Sequence, residues 1–217
     1  MGARILSDKL NARVLILRII LSTLLIAVAV PPALADQEDT PTAVAEPRMR
    51  FEKGTVEISV LGGASLPTSF LHSDRDYHVA MASVAIGRVM AGGPGKGNLE
   101  LLVDVTPFFQ VRWPEVVRGW SVSPLFLRWN LPAIANGPIR VFGEGSSSLL
   151  FTAEPVSVST TTFQFMEQAG FGVRFEESHG RAWLVGYRFQ HISNGGRVKP
   201  NPGANFNFVY LGLSFLR

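Results

Sequence analysis

The sequence predicts an all-β fold, in which eight antiparallel strands run up and down and close into a barrel. Three observations predict it. From Phe51 onward the chain divides into runs separated by Gly, Pro, Asn and Ser clusters. Within the runs, bulky apolar side chains recur at every second residue, the period of a strand and not of a helix. Several runs reach 12 to 17 residues, longer than the five or six usual in soluble sheets. The strands are expected at about 54–63, 77–91, 98–113, 119–130, 139–152, 161–177, 180–193 and 205–216. No internal repeat and no convincing amphipathic helix interrupts them.

The 217 residues fit one such domain preceded by a leader. With 47% hydrophobic and only 17% charged residues, disorder is excluded as the main state. The absence of cysteine excludes a disulfide scaffold, a thiolate zinc site and a Cys nucleophile. The net charge of +3 does not indicate nucleic-acid binding. Arg4, Lys9, Arg13 and Arg18 face one acid, Asp8, in the leader, whereas from residue 36 onward 16 basic residues balance 16 acidic ones. No basic stripe of the kind phosphate backbones require remains.

Residues 1–35 read as a signal peptide. A basic start is followed by twelve mostly apolar residues, Ile19 to Val30, and by Ala33-Leu34-Ala35 ahead of Asp36. Twelve residues reach only about 18 Å as a helix, too short for a ~30 Å hydrocarbon core. Residues 36–50 (DQEDTPTAVAEPRMR) are expected to form a flexible segment before a barrel at 51–217.

The last three strands decide which way the apolar face points. Phe163, Phe165, Phe171, Val173 and Phe175 share one face of the sixth, and Trp183, Val185, Tyr187 and Phe189 one face of the seventh. Val209, Leu211, Leu213 and Phe215 do the same in the eighth. The opposite faces carry Gln164, Gln168, Arg174, Arg188 and Gln190, which suit a small polar lumen. Export, an even strand count, long strands and an apolar outer face favour an outer-membrane barrel over a soluble lipocalin-like one. Trp113, Trp120, Trp129 and Trp183 near strand ends fit an interfacial belt. The longer 64–76 and 194–204 segments belong outside, with GGPGKG at 92–97 and the 177–180 turn inside.

One dense polar constellation ends the seventh strand: His191-Ile192-Ser193-Asn194-Gly195-Gly196, followed by Pro200-Asn201-Pro202-Gly203-Ala204-Asn205. Alternation puts His191 and Ser193 on one face, about 6.5–7 Å apart along the strand. A serine becomes a nucleophile when a neighbouring base takes its proton. Both continue the lipid-facing row, where polar groups are costly unless used. For the apolar rows to share a face, paired numbers on strands six and seven must sum to about 356 or 358. His191 then lies opposite Glu167 or Phe165. The same reasoning brings Asn205 near Ser193 and Asn207 near His191.

The segment HISNGGRVKPNPGANF resembles the carboxy-terminal signature of the bacterial lipid A 3-O-deacylase (acyloxyacyl hydrolase) family, with weaker echoes in FQFMEQAGFG at 163–172 and Tyr187-Arg188. The resemblance implies a signal peptide, a small outer-membrane barrel in a Gram-negative cell, and removal of an ester-linked acyl chain from lipopolysaccharide without a cofactor or metal. It implies His191 as general base and Ser193 as nucleophile, with Asn194 and the amides of Gly195 and Gly196 stabilising the oxyanion. Lipid A would be the substrate and the outer membrane the surroundings, with no nucleic acid; a homodimer is left open. The family's catalytic Glu, twelve residues beyond the serine, is Asn205 here. Three readings follow: Asn205 suffices as orienter, Glu167 supplies the missing charge as the acid, or the barrel is non-catalytic and structural or lipid-binding. His72, His78 and His179 read as solvated, and Asp74 and Asp76 as part of a polar loop.

Overall fold

The computed structural model describes residues 52–66, 77–92, 97–112, 115–156 and 161–217. The expected signal peptide and the 36–50 segment lie outside the described residues, as do His72, Asp74, Asp76 and Trp113. Eight strands follow in order: β1 (Val56–Ser65), β2 (His78–Gly92), β3 (Asn98–Arg112), β4 (Val116–Asn130), β5 (Ile139–Thr152), β6 (Phe163–Glu176), β7 (Arg181–Ser193) and β8 (Ala204–Leu216). All eight lie within three residues of the bounds expected from alternation. Each pairs antiparallel with the next, and β1 pairs with β8 from Glu57↔Leu216 to Ser65↔Phe208, closing the barrel. Reciprocal Val56–Arg217 backbone hydrogen bonds of 2.6 and 2.8 Å seal that seam at one end. Closure leaves no unpaired strand edge, as hydrocarbon demands.

Two prolines inside strands have a local explanation. Pro107 and Pro124 cannot donate to a ladder, and both fall where the register shifts, between Thr106 and Phe109 on β3 and between Val122 and Leu125 on β4. Bulges take up the missing donors and sharpen the local twist.

Alternation sorts side chains as predicted. Val60, Ile86, Leu101, Val103, Leu127, Phe171 and Leu211 face outward, each at least 39% exposed. Gln164, Gln168, Arg174, Arg188 and Gln190 are buried inside. A soluble barrel would reverse these faces, so the molecule is an outer-membrane barrel. Trp120 stacks on Phe151, which meets Phe163, at one end of the strands; Phe175 and Trp183 pair at the other. Phe175 lies twelve residue steps beyond Phe163, about 40 Å along a strand and about 30 Å of height at a tilt near 40°. That spacing matches two aromatic girdles around a bilayer core. The connections at the Phe163 end are on the whole the longer ones, which marks it as the outer end.

The lumen is filled. Val79, Met81, Phe109, Leu150, Met166, Ile192 and Phe206, part of the main apolar cluster, fill the outer half. Below it Glu57 binds Arg128 at 2.8 Å and also pairs with Arg174, while Glu144 joins Arg128 at 3.1 Å and Arg188 at 2.7 Å. The Tyr210 hydroxyl donates to Glu144 at 2.6 Å. Removing one partner of such a buried set strands the other charges. Glu57→Ala is therefore expected to destabilise the barrel by about 3–5 kcal/mol. Glu176→Ala, which breaks the more exposed Arg140 pair, should cost about 1 kcal/mol or less. Urea unfolding of the barrel in lipid vesicles checks both.

Candidate active site

Four strands bring one polar residue each to the same level of the outer wall. Ser147 on β5 pairs with Glu167 on β6, Glu167 with His191 on β7, and His191 with Asn205 on β8. Odd-numbered positions of all these strands face outward, so the four side chains form a single row across the barrel surface. Directly paired side chains in such a row have Cβ atoms about 4.5–5.5 Å apart. Behind it, inside the wall, the Gln168 amide donates to Ser146 and Ser148 at 3.1 Å, and the Gln190 amide donates to Gln168 at 2.8 Å. These bonds tie β5, β6 and β7 together under the row.

The row is hydrogen-bonded at both ends. His191 Nδ1 lies 2.6 Å from Asn205 Oδ1. An amide oxygen only accepts, so the pairing puts the imidazole proton on Nδ1 and leaves Nε2 as the basic nitrogen. At the other end the Ser147 hydroxyl donates to Glu167 Oε1 at 2.8 Å, holding that carboxylate on the wall beside His191.

Ser193 stands one step outward on the same face as His191 and pairs with Phe165. The Gly195 amide donates to Ser193 Oγ at 3.4 Å. Among the described residues no hydrogen bond joins Ser193 to His191. Nucleophile–base contacts of this kind commonly tighten only with substrate present.

The β6–β7 register takes one of the two expected sums, placing Glu167 opposite His191. The β7–β8 register differs from expectation by two residues. Asn205 faces His191 and not Ser193, and Asn207 faces Phe189 and not His191. Asn207 is buried, and its Oδ1 accepts from the Tyr187 hydroxyl at 2.6 Å. Parity requires an even sum but does not choose between neighbouring ones; the folding of the 194–203 loop makes that choice. Asn194 organises this loop. Its amide donates to Asn201 Oδ1 at 3.0 Å, and its buried side-chain Nδ2 donates to Val198 O at 2.7 Å. Asn194 thus holds the turn, while the Gly195 amide is the one turned to the serine oxygen. Gly195 and Gly196 have φ of 67° and 74°, a region glycine enters without strain.

Two residues of this loop have roles that the sequence does not assign. Gly203, at φ 69°, supports the imidazole: a Cβ there would come within 2.6 Å of His191 Cε1. Arg197 donates from Nε to Asn194 O at 3.1 Å and from Nη2 to Phe163 O at 2.8 Å, with its guanidinium over the Phe163 ring. Loop cations and loop glycines are common, and nothing in their spacing distinguishes these two. His78 is exposed at the start of β2, and His179 sits in the β6–β7 turn at φ 63°. Both are remote in sequence and element from the row.

Comparison with known proteins agrees with the barrel fold. Residues 109–214 match the lipid A 3-O-deacylase (PagL) family profile. The crystal structure of the outer membrane enzyme PagL superimposes with a TM-score of 0.56 at 16% identity, covering 72% of this chain and 97% of that one. The N-terminal β-barrel domain of Pseudomonas aeruginosa OprF gives a TM-score of 0.49 at 14% identity, over 76% of this chain and 98% of that domain. No curated protein matches the chain. Over residues 109–214, which hold the whole polar row together with Ser193, this outer-membrane barrel matches the lipid A 3-O-deacylase family.

Proposed function

We propose that the protein is an ester hydrolase of lipid A 3-O-deacylase type, with Ser193 as nucleophile and His191 as general base. The carrying observation is the 2.6 Å contact of His191 Nδ1 with Asn205 Oδ1 on the lipid-facing wall, which leaves Nε2 basic on the strand that bears Ser193. Lipid A lies in the outer leaflet, so an acyl ester can approach this wall sideways without entering the filled lumen.

The chemistry follows the serine hydrolase pattern. His191 Nε2 takes the Ser193 hydroxyl proton as Oγ attacks the ester carbonyl. The carbonyl oxygen gains negative charge, and the Gly195 amide, 3.4 Å from Oγ, is a suitable donor to it, with the Gly196 amide next in the chain. Collapse expels the sugar alkoxide, which takes the proton from His191. Water then attacks the acyl-serine with His191 again as base, releasing the fatty acid and restoring the hydroxyl.

Asn205 orients the ring but carries no charge to stabilise the imidazolium formed in each step. Glu167, paired with His191 from the other side and held by Ser147, is suited to that task. It acts through space, since Nδ1 is bound to Asn205 and Nε2 serves the serine. The non-catalytic alternative has one observation in its favour: an uncharged residue occupies the position of the family's acid.

Lipid A mass spectrometry of cells expressing the protein decides between the two. Loss of one hydroxyacyl mass with the native chain, and none with Ser193→Ala, is the expected result; identical lipid A from both establishes the non-catalytic barrel. Glu167→Gln should lower the rate about tenfold, 1.4 kcal/mol of transition-state stabilisation. Asn205→Glu should raise the rate more in the Glu167→Gln background than in the native one, because the two carboxylates serve the same charge. An unchanged rate in Glu167→Gln removes that residue from the mechanism. Gly203→Ala pushes on the imidazole edge and forces a left-handed backbone onto alanine. A fall in kcat of tenfold or more is expected, with a stability loss of about 1 kcal/mol.

A further inference from the structure

The 194–203 loop holds a cation at the level where lipid headgroups lie, beside the proposed nucleophile. We infer that Arg197 binds a phosphate of the lipid substrate and thereby positions the ester at Ser193; this rests on the deacylase reading above.

The guanidinium is fixed in place. Two of its five N–H donors go to the carbonyls of Asn194 and Phe163, at 3.1 and 2.8 Å, and its carbon lies 4.5 and 5.6 Å from the ring centres of Phe163 and Phe165. Three donors remain for a ligand. The residue is exposed, and among the described residues no carboxylate pairs with it. Arg128, Arg174 and Arg188 in the lumen each have Glu partners. Lys199, exposed two residues on, adds a second positive charge to the same loop.

Depth gives the site its chemistry. Phe163 belongs to the outer aromatic row with Trp120 and Phe151, the level of the headgroups. Ser193 pairs with Phe165, two residues further in, about 7 Å along the strand. A phosphate at Arg197 and an acyl ester at Ser193 are thus about one sugar ring apart in depth. Lipid A, a phosphorylated and acylated glucosamine lipid, carries both groups on one headgroup. A planar guanidinium fork matches phosphate oxygens bidentately, and rings stacked against it restrict its motion before the ligand arrives.

The test compares lipid A with lipid A stripped of phosphate by a phosphatase, both in mixed micelles. The native chain is expected to show a KM about tenfold lower for the phosphorylated lipid, and Arg197→Gln to lose most of that preference. The same preference is read without turnover, as binding of each lipid to the Ser193→Ala barrel and to the Ser193→Ala/Arg197→Gln barrel. Equal losses on both lipids in Arg197→Gln would show that the arginine only holds the loop, and would overturn the inference. So would phosphatidylglycerol competing for Arg197 as well as lipid A does. Phosphate-dependent binding that needs Arg197, without hydrolysis by the native chain, would sustain the phosphate contact and overturn the deacylase reading, and with it the positioning of an ester at Ser193.

Discussion

Hydrocarbon offers no water to an unpaired amide or carbonyl, and this constraint shapes every part of the molecule. A sheet survives there only if its first and last strands meet, as β1 and β8 do. Closure then assigns each residue to the lumen or to the lipid by parity alone. A site on the outside of such a barrel cannot be a cleft between domains or loops. It has to be drawn on a curved surface, with neighbours two residues apart along a strand or directly opposite across the ladder. The row Ser147–Glu167–His191–Asn205 is the second kind of neighbour, and His191 with Ser193 is the first.

The lumen and the outer wall use polar groups in opposite ways. Inside, Glu57, Arg128, Arg174, Glu144 and Arg188 compensate one another in a space already closed to lipid. Such sets add little stability over a well-packed apolar core, but they lose much if one member is removed. Outside, the polar row replaces side chains that would otherwise meet acyl chains, and every polar atom there works against membrane affinity. Its position eases the conflict. The row lies toward the outer end, two steps inward from Phe163 in the aromatic girdle, where the surroundings change from hydrocarbon to headgroup.

How much of this could be read from the sequence depended on loop length. The eight strands were legible because alternation is strong over 13 to 15 residues in seven of them. The pairing of Glu167 with His191 was legible to within one alternative because only four residues, 177–180, connect β6 to β7. A tight turn leaves the ladder few choices. Ten residues connect β7 to β8, and there the expected register missed by two. That loop is held by Asn194, Asn201 and Val198 in contacts no alternation pattern encodes. Arg197 and Gly203 were illegible for the same reason: one depends on where the loop carbonyls point, the other on a positive φ beneath an imidazole.

The geometry of a sheet row also bears on the missing acid. In a serine triad one carboxylate performs two tasks, fixing the imidazole tautomer and opposing the charge that develops on it. A residue in the middle of a ladder row has two cross-strand neighbours, and His191 has a polar one on each side. Under the proposed mechanism the tasks separate. Asn205, on β8, accepts the Nδ1 proton and fixes the tautomer without charge; Glu167, on β6, contributes charge without touching Nδ1. Orientation depends on a short, directed hydrogen bond, whereas charge stabilisation falls off only slowly with distance and tolerates an indirect approach. An Asn at the family's acid position is then compatible with catalysis on this wall, because Ser147 holds the Glu167 carboxylate on the neighbouring strand.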